Sequence, residues 1–452
     1  MSKTIIKNEA ISLLCKNLQD NNYIKSDDFV KYAVKRGLRN ADGTGVMAGL
    51  TKICSVEGYY IDDGEKIPKE GHLFYRGIDI NDIVAACEKE DRFGYEEVLW
   101  LLLFGSLPTK DQLERFNMAL ASLRELPESF TEDMIMKAPS QNIMNKISRA
   151  VLALYSYDDN PDDTSLENVL NQSLQLIAQL PSIMAYAYQV KRRHYYHKSM
   201  HIHPPKPEHQ TAQLILNSIR SDKQFTKEEA KLLDICLILH AEHGGGNNST
   251  FATRVLSSSG TDTYAAISAG IGSLKGPKHG GANKKVSEMI DFFKENCSDI
   301  TDENQVADYL TKIIKKEGGD KSGLVYGMGH AVYTLSDPRA KILSAKACEF
   351  SKGTEFEAEY KLLKNIETLT PELFKSLTGK TKPMCANVDL YSGLVYKMLR
   401  IPEDLYTPLF AIARMAGWCA HRMEELYTGG RIIRPAYKSL SSHMEYIPIE
   451  KR

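Results

Sequence analysis

Three histidines of this chain lie in segments that contain two or more glycines. His279 lies in "GPKHGGAN", His330 follows Gly327 and Gly329 in "GMGHAV", and His243 precedes three glycines in "AEHGGGNNST". Glycine lets a ligand approach the backbone closely, and imidazole can donate, accept or transfer a proton near neutral pH. A plain tight turn at His330 would account for the glycines but not for the histidine. The pattern therefore indicates sites where a polar ligand meets an imidazole.

Two of three candidate arginines occupy unusual positions. In "SDPRAKIL", Asp337 and Pro338 predict the start of a helix, so Arg339 falls in its first turn. A cation at the positive end of a helix costs a few tenths to about 1 kcal/mol unless an anion binds between the cation and the helix end. Arg414 interrupts the apolar stretch "LFAIARMAGWCA", where an unpaired cation would cost several kcal/mol, so a carboxylate from protein or substrate must meet it. Arg434, in "GGRIIRPAYKS", would by itself be called a surface residue.

One aspartate completes this set. Asp389 in "NVDLYSG" precedes a helical run, and the default interpretation of a single aspartate there is an N-cap. Taken together, histidines on glycine-rich loops, an aspartate and several arginines form an inventory for binding a small polycarboxylate and moving protons beside it.

Other histidines suggest a different class of protein. His194, His197, His201 and His203 cluster in the first part of residues 191–210, "KRRHYYHKSMHIHPPKPEHQ", which we interpret as a basic surface loop because the cluster lacks a helical ligand spacing. His240 and His243 share a helix face and could ligate zinc, although capping of the helix's own last carbonyls explains them about equally well. A His-rich metal-binding or scaffold protein therefore stays as an alternative hypothesis.

The composition limits the partners. The 452 residues contain 57 Lys and Arg against 58 Asp and Glu, so no overall field favours nucleic acid or an anionic membrane. The amino terminus lacks the pattern of a signal peptide, and the longest apolar cluster, Val98–Phe104, is too short to span a bilayer. Eight scattered cysteines without a Cys-x-x-Cys pair fit a reducing compartment. We expect a cytoplasmic protein without nucleic-acid or membrane partners.

The elements that must position these residues are mainly helical. "TKEEAKLLDICLILHAEHGGG" opens with a capping box, Thr226 and Glu229, and "TPLFAIARMAGWCAHRMEEL" is apolar nearly all round, which is typical of a buried helix. Strand signals concentrate in "TKICSVEGYYIDDGEKIPKEGHLFYRGI", around an Asp-Asp-Gly turn. The sequence predicts an all-α protein with a small N-terminal β-hairpin.

Four segments carry a family resemblance: "GPKHGGAN", "GMGHAVYTLSDPRA", "NVDLYSG" and "FAIARMAGWCAHRMEEL…RIIRPAY" resemble, in order and spacing, the signature segments of citrate synthases. Weaker matches extend the resemblance from Leu73 to the carboxyl terminus. It implies an all-α fold of two domains that close over the substrates, and an active homodimer. We place the large domain at residues 1–279 and 390–452, with residues 1–45 as a helical extension, and the small domain at residues 280–389.

The resemblance also implies roles for individual residues. His279 would hydrogen-bond the thioester carbonyl of acetyl-CoA while Asp389 removes a methyl proton, and His330 would polarise the ketone of oxaloacetate. The substrate carboxylates would be held by His243, Arg339, Arg414 and, from the partner subunit, Arg434. The CoA adenine would meet backbone groups of Gly327, Met328 and Gly329. No metal and no cofactor are implied, because acetyl-CoA is a substrate.

The implied reaction is a Claisen-type condensation of acetyl-CoA with oxaloacetate, followed by hydrolysis of citryl-CoA to citrate and CoA. A 2-methylcitrate synthase using propionyl-CoA is the alternative, since one methylene changes discrimination by only about 1–3 kcal/mol. The metal-binding hypothesis does not explain Asp389, Arg339 and Arg414 together.

Overall fold

The computed structural model describes residues 15, 16, 18, 23–379 and 383–452. The chain divides into two compact units, Met1–Gly49 and Leu50–Arg452. The described part of the first unit contains the short helix α1 (Ser26–Lys31), which has no buried residue. The rest of the predicted helical extension, up to residue 22, lies almost entirely outside the described residues.

The second unit is predominantly helical, which confirms the predicted all-α class. Its described residues form fifteen α-helices: α2 (Ile80–Lys89), α3 (Tyr95–Phe104), α4 (Lys110–Ser122), α5 (Ile143–Leu154), α6 (Leu166–Tyr195), α7 (Thr211–Ile219), α8 (Lys227–His240), α9 (Asn248–Ser258), α10 (Thr263–Lys275), α11 (Ala282–Asn296), α12 (Glu303–Ile314), α13 (Pro338–Ser351), α14 (Glu357–Thr378), α15 (Val388–Met398) and α16 (Tyr406–Tyr427). Within the described ranges, no helix is long and apolar enough to cross a membrane.

The predicted hairpin is confirmed. Strand β1 (Cys54–Asp62) pairs antiparallel with β2 (Glu65–Tyr75). The two turn residues, Asp63 and Gly64, have φ angles of 46° and 81°, as an Asp-Gly hairpin turn with left-handed backbone requires. A short third strand, β3 (Ile78–Asp79), adds to β2. Sequence patterns missed it because two residues carry no alternation.

Helix α8 begins as predicted. The Thr226 hydroxyl accepts a hydrogen bond from the Glu229 amide at 3.1 Å, and the Glu229 carboxylate accepts one from the Thr226 amide at 2.8 Å. After His240 the chain turns through residues 241–247 into α9, which places the His243 turn between two helices. The capping box thus fixes the start of the helix that leads into this turn.

Helix α16 forms the centre of the second unit, and its predicted burial is confirmed. Trp418, Arg414 and Arg422 are among the largest fully buried side chains of the described chain, and all three belong to α16. Buried cations need hydrogen-bonding or ionic partners, and the partners of Arg414 and Arg422 are different.

The expected surface loop at residues 191–210 is wrong for its first five residues, because α6 continues to Tyr195. The cause is an interaction distant in sequence. The buried Lys191 ammonium pairs with Asp404 at 2.6 Å, and the Tyr195 hydroxyl donates to the carbonyl of Pro139 at 3.2 Å. These contacts extend the helix beyond what its own sequence favours.

Candidate active site

The second unit contains a cavity of about 310 Å³ that collects most of the residues singled out above. The predicted site residues that line it are His243, His279, Gly329, His330, Arg339, Asp389 and Arg414. Gly327 and Met328 lie just outside, in the turn before His330. Arg434 is exposed in the segment after α16 and is absent from the cavity lining of this single chain.

A short ladder of backbone bonds connects the His330 turn to the segment before α15. The Gly329 amide donates to the Cys385 carbonyl at 2.7 Å, and the Asn387 amide donates to the Gly327 carbonyl at 2.9 Å. Gly327 has a φ of +82°, and a Cβ there would lie 2.9 Å from the backbone of Leu390, so only glycine fits. The ladder holds two distant parts of the chain at the same edge of the cavity.

The N-cap of α15 is Asn387, which corrects the default interpretation of Asp389. The Asn387 side chain accepts a hydrogen bond from the Asp389 amide at 3.0 Å. Asp389 therefore lies in the first turn of α15 and lines the cavity. Burial raises the pKa of Asp389 to about 6, with Arg339 opposing the rise. A carboxylate with this pKa can act as a general base near neutral pH.

The ring of His330 is fixed on one side by the backbone. Its Nδ1 accepts hydrogen bonds from the amides of Val332 and Tyr333, both at 3.1 Å. A nitrogen that accepts from amides carries no proton, so the neutral imidazole is protonated at Nε2. The Tyr333 ring stacks on His330 with 4.6 Å between centroids. His330 is therefore preset as a donor through Nε2.

Two other histidines of the cavity are held neutral. Burial, with Arg414 adding to it, lowers the pKa of His279 to about 4, and burial with Arg339 lowers that of His243 well below its ordinary value. The His279 Nε2 lies 3.0 Å from the Ser249 hydroxyl. Neutral imidazoles can each donate one hydrogen bond without adding a positive charge beside Arg339 and Arg414.

Arg339 meets its anion within the protein. Its guanidinium donates twice to the Asp337 carboxylate, from Nε at 3.0 Å and from Nη2 at 2.7 Å, and Asp337 also caps α13 through the Arg339 amide. Burial by itself would lower the pKa of Arg339, but Asp337 raises it above the ordinary value. The predicted N-cap is confirmed, and its carboxylate offsets the unfavourable position of this cation.

Arg414 has no such partner. Its side chain is fully buried, its Nε donates to the His240 carbonyl at 2.8 Å, and its two terminal nitrogens bond to nothing in the described structure. Burial lowers the pKa of Arg414, and the charge of Glu242 only partly opposes this. Since unpaired buried donors are costly, these nitrogens are suited to a ligand carboxylate entering the cavity.

The hairpin supports the cavity from outside. The Gly71 amide donates to the Ser336 hydroxyl at 3.1 Å, and the Thr334 hydroxyl donates to the Gly58 carbonyl at 3.3 Å. A Cβ at Gly71 would clash with the Ser336 carbonyl, so glycine is needed for this close approach. The segment 331–336, between His330 and Arg339, therefore rests on the hairpin.

Comparison with known proteins agrees with this arrangement. The family described as "Citrate synthase, C-terminal domain" matches residues 40–436. The chain belongs to the citrate synthase family. Its fold is accordingly the mostly helical one of citrate synthases, and it is an enzyme that transfers an acyl group.

Relatives in the citrate synthase family include enzymes named for two different activities. The chain is 32% identical over 424 residues to the citrate synthase of Haloferax volcanii, covering 93% of this chain and 99% of the relative. It is also 32% identical over 429 residues to 2-methylcitrate synthase 1 of Corynebacterium glutamicum, covering 93% and 98%. Sequence identity therefore does not separate these two activities.

Solved citrate synthases share the architecture. The enzyme of Thermoplasma acidophilum, determined as a ternary complex with carboxymethyl coenzyme A and oxaloacetate, superposes with a TM-score of 0.74 at 27% identity, covering 93% of this chain and 99% of that one. The enzyme of Pyrobaculum aerophilum gives 0.73 at 28% identity, covering 89% and 93%.

Sequence reasoning about this citrate synthase family member did not place His240 in the cavity. His240 lines it with neither ring nitrogen bonded in the described structure, and its ring lies 4.5 Å from that of Phe410. Its spacing from His243 was the available signal, but that spacing suggested zinc. Within the described ranges, no group of three His, Cys, Asp or Glu side chains is arranged to hold a metal ion. Lys278 also lines the cavity.

Proposed function

We propose that this enzyme condenses acetyl-CoA with oxaloacetate and water to give citrate and CoA. The observation that carries the proposal is Arg414, whose two terminal nitrogens are buried at the cavity without a protein partner. Oxaloacetate carries two carboxylates, and a guanidinium binds a carboxylate with a planar fork. The 2-methylcitrate activity of a relative at 32% identity supports propionyl-CoA as the alternative acyl donor.

Oxaloacetate would bind through its charged ends. Arg414 and Arg339 would each contact a carboxylate, and the neutral His243 would donate a hydrogen bond from Nε2, which has no partner in the described structure. Arg434 would reach the site from the partner subunit of a homodimer. These contacts order the first substrate and leave its ketone carbon facing the acyl donor.

The acyl donor would then be activated by a base and a donor. Asp389 takes a proton from the methyl carbon of acetyl-CoA, and the electron pair moves to the thioester oxygen, where His279 donates a hydrogen bond. With Nε2 facing Ser249, this donor is Nδ1. The Ser249 hydroxyl proton can point to Asn247 or to His279, and this role uses the second orientation.

Carbon–carbon bond formation follows. The enol carbon attacks the ketone carbon of oxaloacetate, and the ketone oxygen receives the proton of His330 Nε2. The two backbone amides at Nδ1 support the histidine as it changes charge. Water then cleaves the thioester of citryl-CoA, releasing citrate and the CoA thiol.

The remaining features are parts of the same proposal. Residues 280–389 would close as a small domain over the substrates, and Gly327–Gly329 would face the CoA adenine. The amides of Met328 and Gly329 and the carbonyls of Gly327 and Gly329 already bond within the protein, so we propose the Met328 carbonyl for that contact. We propose no metal and no cofactor. All eight cysteines are free, in keeping with the proposed cytoplasmic location.

An assay of CoA release tests the function. Purified protein is mixed with oxaloacetate and either acetyl-CoA or propionyl-CoA, and the free thiol is followed, with metal analysis of the same sample. We expect faster release with acetyl-CoA. Faster release with propionyl-CoA would assign the alternative activity, and no release with either donor would overturn both. Stoichiometric zinc would instead support the metal-binding hypothesis.

The pKa of Asp389 predicts a pH profile. Because the base must be ionised and its pKa is raised to about 6, kcat/KM should fall below pH 6 by about tenfold per pH unit and level off above it. The measurement is kcat/KM for the acyl donor from pH 5 to 8, with thermal unfolding recorded at each pH as a control for loss of fold. A flat profile down to pH 5 would contradict the assignment.

The role of Arg434 predicts complementation between subunits. Arg434→Ala and Asp389→Asn chains should each be nearly inactive alone, but a mixed dimer contains one site with Asp389 from one chain and Arg434 from the other. Co-expression of both chains should restore about a quarter of the wild-type activity, since random pairing makes half the dimers mixed with one intact site each. No recovery in a purified mixed dimer would show that Arg434 does not cross between subunits.

A further inference from the structure

A buried row of polar contacts ends at the His243 turn. His421 of α16 is fully buried, and its Nδ1 lies 3.0 Å from Nε and 2.6 Å from Nη2 of Arg254. Arginine only donates, so Nδ1 is the acceptor and the neutral His421 is protonated at Nε2. That nitrogen lies 3.1 Å from Oε1 of Glu242, to which it donates.

The outer end of the row is anchored by charge. The Arg254 side chain on α9 is buried and donates from Nη1 to the Glu425 carboxylate at 2.7 Å, and it also bonds Glu424. A guanidinium held by two carboxylates has little freedom to turn. His421 therefore faces a fixed donor on one side and delivers one directed proton on the other.

The inner end fixes the backbone beside His243. The fully buried Glu242 carboxylate also accepts a hydrogen bond from the Gly244 amide at 2.5 Å, and Gly244 adopts a left-handed φ of +88°. Burial raises the pKa of Glu242, but His421 and Arg414 lower it below the ordinary value, so the carboxylate is ionised. The Glu242 carboxylate thus links the residue before His243 to the amide of the residue after it.

Close packing restricts that carboxylate further. A Cβ at Gly417 of α16 would clash with Oε2 of Glu242, and the Gly417 amide donates to the Ala241 carbonyl at 3.2 Å. Oε2 of this carboxylate is therefore packed against α16, while Oε1 accepts the hydrogen bonds of His421 and the Gly244 amide.

We propose that His421 is a positioning residue for oxaloacetate binding, acting through Glu242 and the Gly244 amide on the His243 side chain. The inference deepens the proposed function and rests on it for its kinetic readout. His421 contacts no substrate in this scheme. Its contribution is to keep the His243 turn in the geometry in which Nε2 faces the cavity, so its loss should weaken substrate binding rather than remove a chemical step.

Two substitutions at this position separate positioning from mere packing. In His421→Gln the amide nitrogen can take the place of Nε2 and donate to Glu242, whereas the shorter side chain of His421→Asn reaches only toward Arg254. We expect His421→Asn to lower kcat/KM about 10- to 100-fold, mainly through the KM for oxaloacetate, and His421→Gln to stay near wild type. Hydrogen exchange of the peptide spanning residues 241–247 should speed up in His421→Asn alone.

The outcomes are distinguishable. Equal losses of thermal stability in both variants, with unchanged KM for oxaloacetate and unchanged exchange of residues 241–247, would overturn the inference and leave His421 as a packing residue. If the wild-type protein releases no CoA, the proposed function fails, and the exchange measurement still decides whether His421 holds the turn. Faster exchange in both variants would also contradict the specific role of the Nε2 hydrogen bond.

Discussion

Asp389→Asn should lower kcat by about 10²- to 10⁴-fold while leaving oxaloacetate binding nearly unchanged. The amide has the shape of the carboxylate but cannot accept the methyl proton, and the hydrogen bond from its own backbone amide to Asn387 is retained. CoA release gives kcat, and calorimetry with oxaloacetate gives the binding constant. Turnover near the wild-type rate would show that another group is the base.

The same variant should be more stable above pH 6. Burial raises the folded-state pKa of Asp389 above its unfolded value, so ionisation costs folding free energy above pH 6, and this cost fades as the pH falls toward 4. Asp389→Asn escapes the cost, and its unfolding temperature should exceed that of wild type at pH 8 more than at pH 5. Asp302→Asn, the same change at the half-buried N-cap of α12, is the matched control and should alter neither activity nor this pH dependence.

Arg414→Met should weaken oxaloacetate binding by about 2–5 kcal/mol, which is about 30-fold or more. The lost interactions are those of two buried nitrogens that no protein group satisfies in the described structure. Since the free protein bears the cost of that unpaired cation, its free energy of unfolding should hold or rise. Calorimetry and chemical denaturation measure the two quantities.

Arg422→Met is the matched control from the same helix. Arg422 is equally buried, but its nitrogens donate to Thr263, Ser257 and the Thr261 carbonyl. Its loss leaves acceptors unpaired, so the control should lose stability and keep its affinity for oxaloacetate. Arg414→Met with reduced stability and normal binding would make Arg414 a structural residue like Arg422.

Much of the fold was predictable because its determinants are local. The capping box of α8, the Asp-Gly turn between β1 and β2, and the apolar surface of α16 each depend on residues within one element. The end of α6 was not predictable, because the ion pair of Lys191 joins residues 213 positions apart. A tertiary contact of this kind produces no periodic pattern in the sequence.

The candidate site shows the same division. Glycine beside histidine, and arginine within an apolar helix, identified residue types that line the cavity. The N-cap at Asn387 was missed because a neighbouring aspartate fits the same pattern. The bond between His421 and Glu242 joins residues 179 positions apart, so no motif could have revealed it. A sequence shows which chemical groups are available, but the fold determines which partner orients each group.

The ladder between Gly327–Gly329 and Cys385–Asn387 connects the segments that carry two proposed catalytic groups. It ties the proposed acid, His330, to the proposed base, Asp389, across a few rigid backbone units. If the proposed small domain closes over the substrates, this edge would carry both groups together, and their separation would stay constant while their distance to His279 and Arg414 changes. A substitution that shifts this ladder would then affect proton removal by Asp389 and proton donation by His330 at the same time.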